Sequence, residues 1–419
     1  MISINNVVDI NLNIVQQQLP PLSGFSTVLY FIPSDVRIFQ DDYTTQVNMR
    51  LLTRDNISNL GNIFQDTQGS VLESVRTYFL NGGNNIIVIQ PSNFSPEGAL
   101  DEFTNLIAMA RDIRDDFLFV NIDPYLVNSN YGYSATMIAQ IAAWCEGTKT
   151  PEKIYLNLTS TALTYLDPDT GIIEVQAIDM DFITNLGLEN RNVGVQVCTK
   201  KVGSRFLCAS LLIGAFFSQT DLELTNTIND YNFTPSFLSG VTQSHEEVTQ
   251  AQYDQLINNP NGTGYYNFIG NISNRIINFG GDFSNNARLA LHTGFAVAAL
   301  ERDVSFAALE RMIGKQYLTQ QGFANVIAAI DNTLQKYRTN GFLQQGARFS
   351  GESVKLTYNG RKYDILAKGE MMPQGYVIWG VPVSDISQQD RLSRSFPPLY
   401  VILETIVGAR VVRIQGEVR

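Results

Sequence analysis

Charge is scarce in this 419-residue sequence: Asp, Glu, Lys and Arg make up 16% of it, against about 25% in an average globular chain. Asn, Gln, Ser and Thr fill the deficit, a surface chemistry that repels itself weakly and suits a protein packed against copies of itself. Basic runs are missing altogether. With 29 basic and 40 acidic residues the net charge is −11, which argues against nucleic acid or anionic membrane as the main partner, because both demand a cationic stripe that displaces counterions. Cysteine is nearly absent. Cys145, Cys198 and Cys208 cannot build a disulfide framework and show no CxxC spacing, so buried thiols are expected. The most apolar run, 206–217, is too short to span a bilayer. Residues 1–14 show no cationic segment followed by an apolar one, so no signal peptide and a cytosol-like site of synthesis are expected.

Motifs that carry chemistry are missing as well. No GxGxxG follows the first strand and no GxxxxGK[ST] occurs, so neither phosphate cradle is present. Asn81-Gly82-Gly83-Asn84 sits at a helix end, whereas a phosphate loop opens one, and Gly262-Thr263-Gly264 reads as a turn. Of the two histidines, His245 stands beside Glu246 and Glu247 but has no second histidine one helical turn on, so a solvated acidic helix start is expected. His292 falls in a helical pattern among apolar residues. No GxSxG elbow and no Cys and His pairing is legible. The carboxylate pairs Asp115-Asp116, Asp167 with Asp169 and Asp179 with Asp181 are the remaining candidates for acid–base or cation work. Residues 165–171 are better explained as a turn, for which Asp, Pro and Gly supply the geometry. No catalytic residue, metal ligand or cofactor is assigned. The competing reading of an α/β pattern is a Rossmann-like enzyme whose site the sequence does not reveal.

What is present is pattern. Ile10, Leu12 and Ile14 alternate with Asn11 and Asn13, a half-buried strand. Gln16-Gln17-Gln18-Leu19-Pro20-Pro21 then continues neither strand nor helix, so residues 1–24 read as an arm and linker. Residues 25–200 alternate strand and helix: strands at 27–32, 86–89, 117–122 and 154–158, with helices marked by Val71, Val75 and Phe79, by Phe103, Ile107 and Ala110, and by Ile138 and Ile141. Such spacing predicts crossover connections and a mostly parallel sheet covered on both faces. Residues 201–340 read as helical and loop-rich, with Phe323, Val326, Ile330, Leu334 and Tyr337 on one helix face. Residues 341–419 read as a strand-rich domain that closes with a strand pair, 399–406 and 411–418, joined at Gly408 and ending in a second arm, where Val412, Ile414 and Val418 alternate with Arg413, Gln415 and Glu417. The fold class expected is therefore α/β and α+β multidomain, with a strand arm at each end.

The stretch 389–399, Gln-Asp-Arg-Leu-Ser-Arg-Ser-Phe-Pro-Pro-Leu, followed by Gly408-Ala409-Arg410-Val411-Val412-Arg413-Ile414, resembles the C-terminal signature of contractile bacteriophage tail sheath proteins. Val7-Val8-Asp9-Ile10-Asn11-Leu12 with 24–31 resembles the start of the same family. Tyr78-Phe79-Leu80-Asn81-Gly82-Gly83 followed by Ile86–Ile89 is similar to a helix, glycine pair and strand found early in many sheaths. The order matches over nearly the whole chain, with 202–264 unmatched. The resemblance implies a structural subunit, not an enzyme, that stacks as rings around an inner tail tube and contracts from a metastable extended state to drive the tube through the host envelope. It implies arms, Ile10, Leu12 and Ile14 at one end and Val412, Ile414 and Val418 at the other, that add strands to neighbouring subunits. The partners it implies are copies of itself, the inner tube protein, and baseplate and tail terminator proteins, in a virion assembled in the host cytoplasm. Neither nucleic acid nor membrane insertion is implied. Asp390, Arg391 and Arg394 are the candidate tube-facing cluster. Another tail or baseplate structural protein is the nearest alternative.

Overall fold

In the computed structural model the described residues are 25–127, 132–148, 152–160, 165–166, 173–174, 192–197, 201–217, 265–272, 275–283, 291–312, 319–392 and 398–404. They fall into two units that meet in sequence between Phe295 and Ala296.

The first unit is built on eight strands: β1 (Thr27–Phe31), β2 (Met49–Thr53), β3 (Asn85–Ile89), β4 (Phe117–Ile122), β5 (Tyr155–Ser160), β6 (Val193–Val197), β7 (Tyr265–Ile272) and β8 (Arg275–Phe283). Their order is β8-β7-β6-β5-β4-β1-β3-β2. The six inner strands run parallel, and the two outer ones, β2 and β8, are antiparallel to their neighbours. The parallel, helix-covered sheet expected from the strand and helix spacing is thus present, and it extends past residue 200 into β7 and β8. The inner strands β1, β3 and β4 read as continuous apolar runs because both of their faces are covered.

Helices α2 (Ala99–Ile113) and α3 (Ala135–Gly147) cover one face. Leu29, Phe31, Ile87, Ile89, Val120, Ile122, Leu156 and Leu158 meet Phe103, Ile107, Ile138 and Ile141 there in one buried cluster. Helices α1 (Ser70–Leu80) and α4 (Leu211–Phe217) belong to the opposite face. A Cβ on Gly214 of α4 would lie 2.2 Å from Val28 Cγ1, so the helix backbone rests directly on β1. The rings of Phe119, Phe217 and Phe295 stack on this side. The Asp66 carboxylate caps α1 by accepting from the backbone N–H groups of Val71 and Leu72 at 2.8 and 3.2 Å. At the other end of α1, Gly82 takes φ +98°, and a Cβ on Gly83 would collide with the Tyr78 ring at 2.2 Å. The glycine pair is a helix stop with a physical cause.

The second unit begins within α5 (Leu291–Met312) and continues with α6 (Gln320–Thr339). Thr319 caps α6 by accepting from the Gly322 N–H at 3.1 Å, and Gly341 at φ +75° follows its end. Phe323, Val326, Ile330, Leu334 and Tyr337 are its buried stripe, as the 3.6-residue spacing predicts. Two antiparallel pairs follow: β9 (Val354–Tyr358) with β10 (Arg361–Leu366), and β11 (Tyr376–Gly380) with β12 (Leu399–Leu403). The first is a hairpin closed by Asn359 and Gly360, both at positive φ, the backbone requirement of a two-residue turn.

Candidate assembly surfaces

The β11–β12 pair occupies an unusual position. Val377, Trp379, Tyr400 and Ile402 pack against the cluster of Ile365, Leu366 and Met372 on one face. On the other, Leu399 packs with Phe323 of α6, and the Tyr376 hydroxyl donates to Asp331 Oδ1 at 2.7 Å. A Cβ on Gly380 would lie 2.3 Å from the Phe323 ring, so glycine lets the helix cross the strand closely. Both faces of the pair are therefore covered by elements of the same unit.

Its edges are different. Backbone bonds from Val381 N–H to the Pro398 carbonyl and from Glu404 N–H to the Gly375 carbonyl fix which residues bond inward. With the register Tyr376 to Leu403 and Ile378 to Val401, alternation turns the N–H and C=O groups of Tyr376, Ile378 and Gly380 outward on one side. Those of Leu399, Val401 and Leu403 turn outward on the other. Among the described residues, none of these groups has a backbone partner. A two-stranded sheet is marginal alone, and open apolar edges are a template for added strands.

Asp390 and Arg391 lie on the short helix α7 (Gln388–Leu392). Asp390 accepts from the Tyr358 hydroxyl at 2.6 Å and the Ser387 hydroxyl at 2.5 Å. The Ser387 bond, then the Tyr358 bond, holds its carboxyl below the usual range. Asp385 accepts from Tyr363 at 2.6 Å and pairs with Arg361 at 2.5 Å. Two carboxylates thus tie the β9–β10 hairpin to the segment 385–390. Arg391 is exposed and donates to the Val383 carbonyl at 2.8 Å. Arg394, Ile10, Leu12, Ile14, Val412, Ile414 and Val418 lie outside the described residues.

An α/β enzyme would place its site elsewhere, at the carboxyl ends of β1 and β4, because the chain steps from β1 to β3 on one side and to β4 on the other. That crevice holds Tyr30, Asp123 and Cys208, all buried. Tyr30 donates to Asp123 Oδ2 at 2.6 Å, and Asp123 Oδ1 accepts from the Tyr125 N–H at 2.8 Å. Cys208 N–H donates to Ser74 Oγ at 3.0 Å, and Ser210 N–H donates to Thr159 Oγ1 at 3.0 Å. Arg205 closes the rim, paired with Asp35 and lying 3.8 Å over the Tyr125 ring. Burial pushes the Asp123 carboxyl up to about 6, against the Tyr30 hydrogen bond. Burial also pushes the Cys208 thiol up to about 12, so it is no nucleophile at neutral pH. The polar groups bond to one another or to neighbouring backbone groups. Cys145 and Cys208 are both buried thiols. Asp115 pairs with Arg111 and Asp116 with Arg114, which makes that carboxylate pair structural. Among the described residues no group of three metal-ligating side chains occurs. His245 and the Asp167, Asp169, Asp179 and Asp181 candidates lie outside them.

Sequence reasoning pairs 399–406 with 411–418, which lies outside the described residues, and does not foresee that β12 pairs with β11, because alternation marks strands without fixing their neighbours. The Asn359-Gly360 dipeptide between two alternating runs was the legible signal for the hairpin beside them.

No protein-family model and no curated protein matches the sequence. Solved structures do. A chain of the anti-feeding prophage baseplate, 6-fold symmetrised, aligns with TM-score 0.62 and 16% identity over 96% of this chain and 97% of that one. A chain of the anti-feeding prophage helical sheath in its contracted state aligns with TM-score 0.61 and 15% identity over 98% and 99%. The sheath complex of an extracellular contractile injection system, PVC, also contracted, gives 0.60 and 13% over 96% of both chains. The fold is therefore that of contractile injection-system sheath and baseplate structures, over essentially the full length of each, in agreement with the sheath resemblance.

Proposed function

We propose that this chain is a structural sheath subunit of a contractile injection machine, and not an enzyme. The observation that carries the reading is the end-to-end match to sheath chains in both directions, and the mutually hydrogen-bonded polar cluster at the switch point supports it. In this reading the residues Ile10, Leu12 and Ile14 of one copy and Val412, Ile414 and Val418 of another supply strands to the open β11 and β12 edges of a third. Each edge turns three residues outward, six backbone groups in all. At a net contribution of roughly 0.5–1.5 kcal/mol per hydrogen bond, an added strand is stabilised by on the order of 5 kcal/mol before side-chain packing. Because the donor and acceptor surfaces differ, the contact is heterologous and propagates as a helical lattice.

The machine is a phage-type tail in this reading, as the sequence signatures suggest, with the inner tube, baseplate and terminator as partners and a metastable extended lattice as the energy store. Linkers at 16–21 and near Pro397-Pro398 keep copies joined while their bodies move. Asp390, Arg391 and Arg394 face the tube in this reading, and the hydrogen bonds of Asp390 hold α7 in place. The match to a baseplate structure favours, second, a ring-forming subunit of the baseplate. Negative-stain microscopy of the purified full chain separates these: striated tubes support the sheath, discrete rings the baseplate subunit, and dispersed monomers neither. Deleting residues 1–20 is expected to leave a folded, soluble monomer that forms no tubes; tubes of normal length from that truncation would overturn the arm assignment.

A further inference from the structure

The charge of the chain is divided between its two units. The α/β unit, 20–224 with 231–295, holds 14 Lys and Arg against 27 Asp and Glu, net −13; the other, 296–419 with 1–19 and 225–230, holds 15 against 13, net +2. A chain with so little charge overall has sorted what it has.

On the acidic unit, helices α2 and α3 leave a surface groove of about 470 Å³. Its apolar lining is Leu100, Ala143 and the half-buried Trp144, and Glu97 and Asp101 stand exposed at its rim. Asp101 sits in the first turn of α2, where the helix dipole explains a carboxylate. The dipole explains neither Glu97, which precedes the helix, nor an indole left half open when the chain has only two Trp residues. Met109 and Ile113 continue along the same helix as exposed apolar side chains, 55% and 45% accessible. An aromatic face flanked by carboxylates is a receptor for Lys or Arg, through cation–π attraction and ion pairing together.

The basic unit offers the complement. The β9–β10 hairpin turns Leu356, Tyr363 and Ile365 inward and presents Thr357, Lys362 and the 3.4 Å ion pair of Lys355 with Asp364 to solvent, one net positive charge on that face. The Asn359-Gly360 turn makes it a rigid two-stranded projection, tied down by Asp385 and Asp390. We propose that the α2–α3 groove of one copy receives the cationic outer face of this hairpin from a second copy, Lys362 docking on Trp144 between Glu97 and Asp101. The proposal rests on the sheath reading for there being a lattice, and it adds a side-chain contact between bodies to the backbone pairing of the arms. Such a contact orders copies by charge sign and loosens with salt.

The test compares three full-length variants with the wild type: Glu97→Lys with Asp101→Lys, Lys355→Glu with Lys362→Glu, and all four together. All positions are exposed, so the melting temperature of the dispersed monomer stays unchanged. Each one-sided reversal is expected to raise the critical concentration for tube growth about tenfold or more, and the fourfold variant to return it towards wild type. Unchanged critical concentrations, or a fourfold variant as impaired as both singles combined, overturn the docking. Should a reversed chain fail to fold, Glu97→Gln with Asp101→Asn and Lys362→Gln give the same comparison without repulsion. A wild-type chain that forms no ordered assembly overturns the sheath reading itself, and this proposal with it.

Discussion

The α/β unit and the C-terminal unit solve the same problem, burying a sheet, to different degrees. In the first, the inner strands have neighbours on both edges and helices on both faces, and even the polar groups at its switch point bond to one another. In the second, both faces of β11–β12 are covered, while among the described residues neither outer edge has a backbone partner. A sheet closed on its faces and open on its edges cannot take a ligand or stack on another sheet; what it can take is a strand. In the proposed function this difference gives stability to the first unit and assembly to the second.

Removing one outward N–H from the open pair is the sharpest way to break the comparison. Val401→Pro deletes an edge donor without touching the inward bonds of β12, and Pro is tolerated on edge strands. The expected outcome is a monomer that unfolds in urea as the wild type does but yields no tubes by negative stain. An equivalent substitution inside β1, Leu29→Pro, is expected to abolish folding, because Leu29 is paired on both sides. If Val401→Pro assembles normally, the β12 edge accepts nothing.

The same contrast holds for close packing. Gly214 faces Val28, a branched side chain fixed in an inner strand, whereas Gly380 faces the far end of the Phe323 ring. Gly214→Ala is expected to cost about 3 kcal/mol and Gly380→Ala about 1 kcal/mol, since a ring tip can turn aside and a β-branched residue between two strands cannot. Urea unfolding of the two variants measures both, and equal costs would remove the distinction between a closed and a compliant unit.

Much of this was legible beforehand. Phe117–Ile122 reads as a strand at its observed bounds because it is a short, largely apolar run between helical patterns, and α6 as a helix because its stripe keeps a 3.6-residue period. Strands β7 and β8 are not foreseen: Asn and Gly interrupt both, and a sheet edge tolerates a polar composition that no period-two count detects. Nor is the cluster of Tyr30, Asp123 and Cys208, which topology alone brings together from distant positions. The charge division was countable, but it acquires meaning only once the boundary at Phe295 is known.

That buried cluster tests whether the α/β unit is closed. Asp123 lies within it with its carboxyl raised to about 6, burial being the main cause, whereas the unfolded chain titrates near the ordinary carboxylate value of about 3.9. Between those values the native state binds the extra proton, so the stability this proton confers is fully present below about pH 4 and is lost as pH rises through about 6. Asp116 has the opposite sign. Burial pushes it up, but hydrogen bonds from Arg114, Ser26 and Thr27 outweigh that and hold it low, so its contribution is lost only as the medium turns strongly acidic. Asp123→Asn keeps an acceptor for the Tyr125 N–H and a donor for the Tyr30 oxygen while removing the titration. The wild type is therefore expected to lose on the order of 2 kcal/mol relative to the variant between pH 4 and pH 7, read as the difference between their urea midpoints. Parallel pH profiles for the two chains would mean that water reaches Asp123, and that the crevice at the ends of β1 and β4 is open after all.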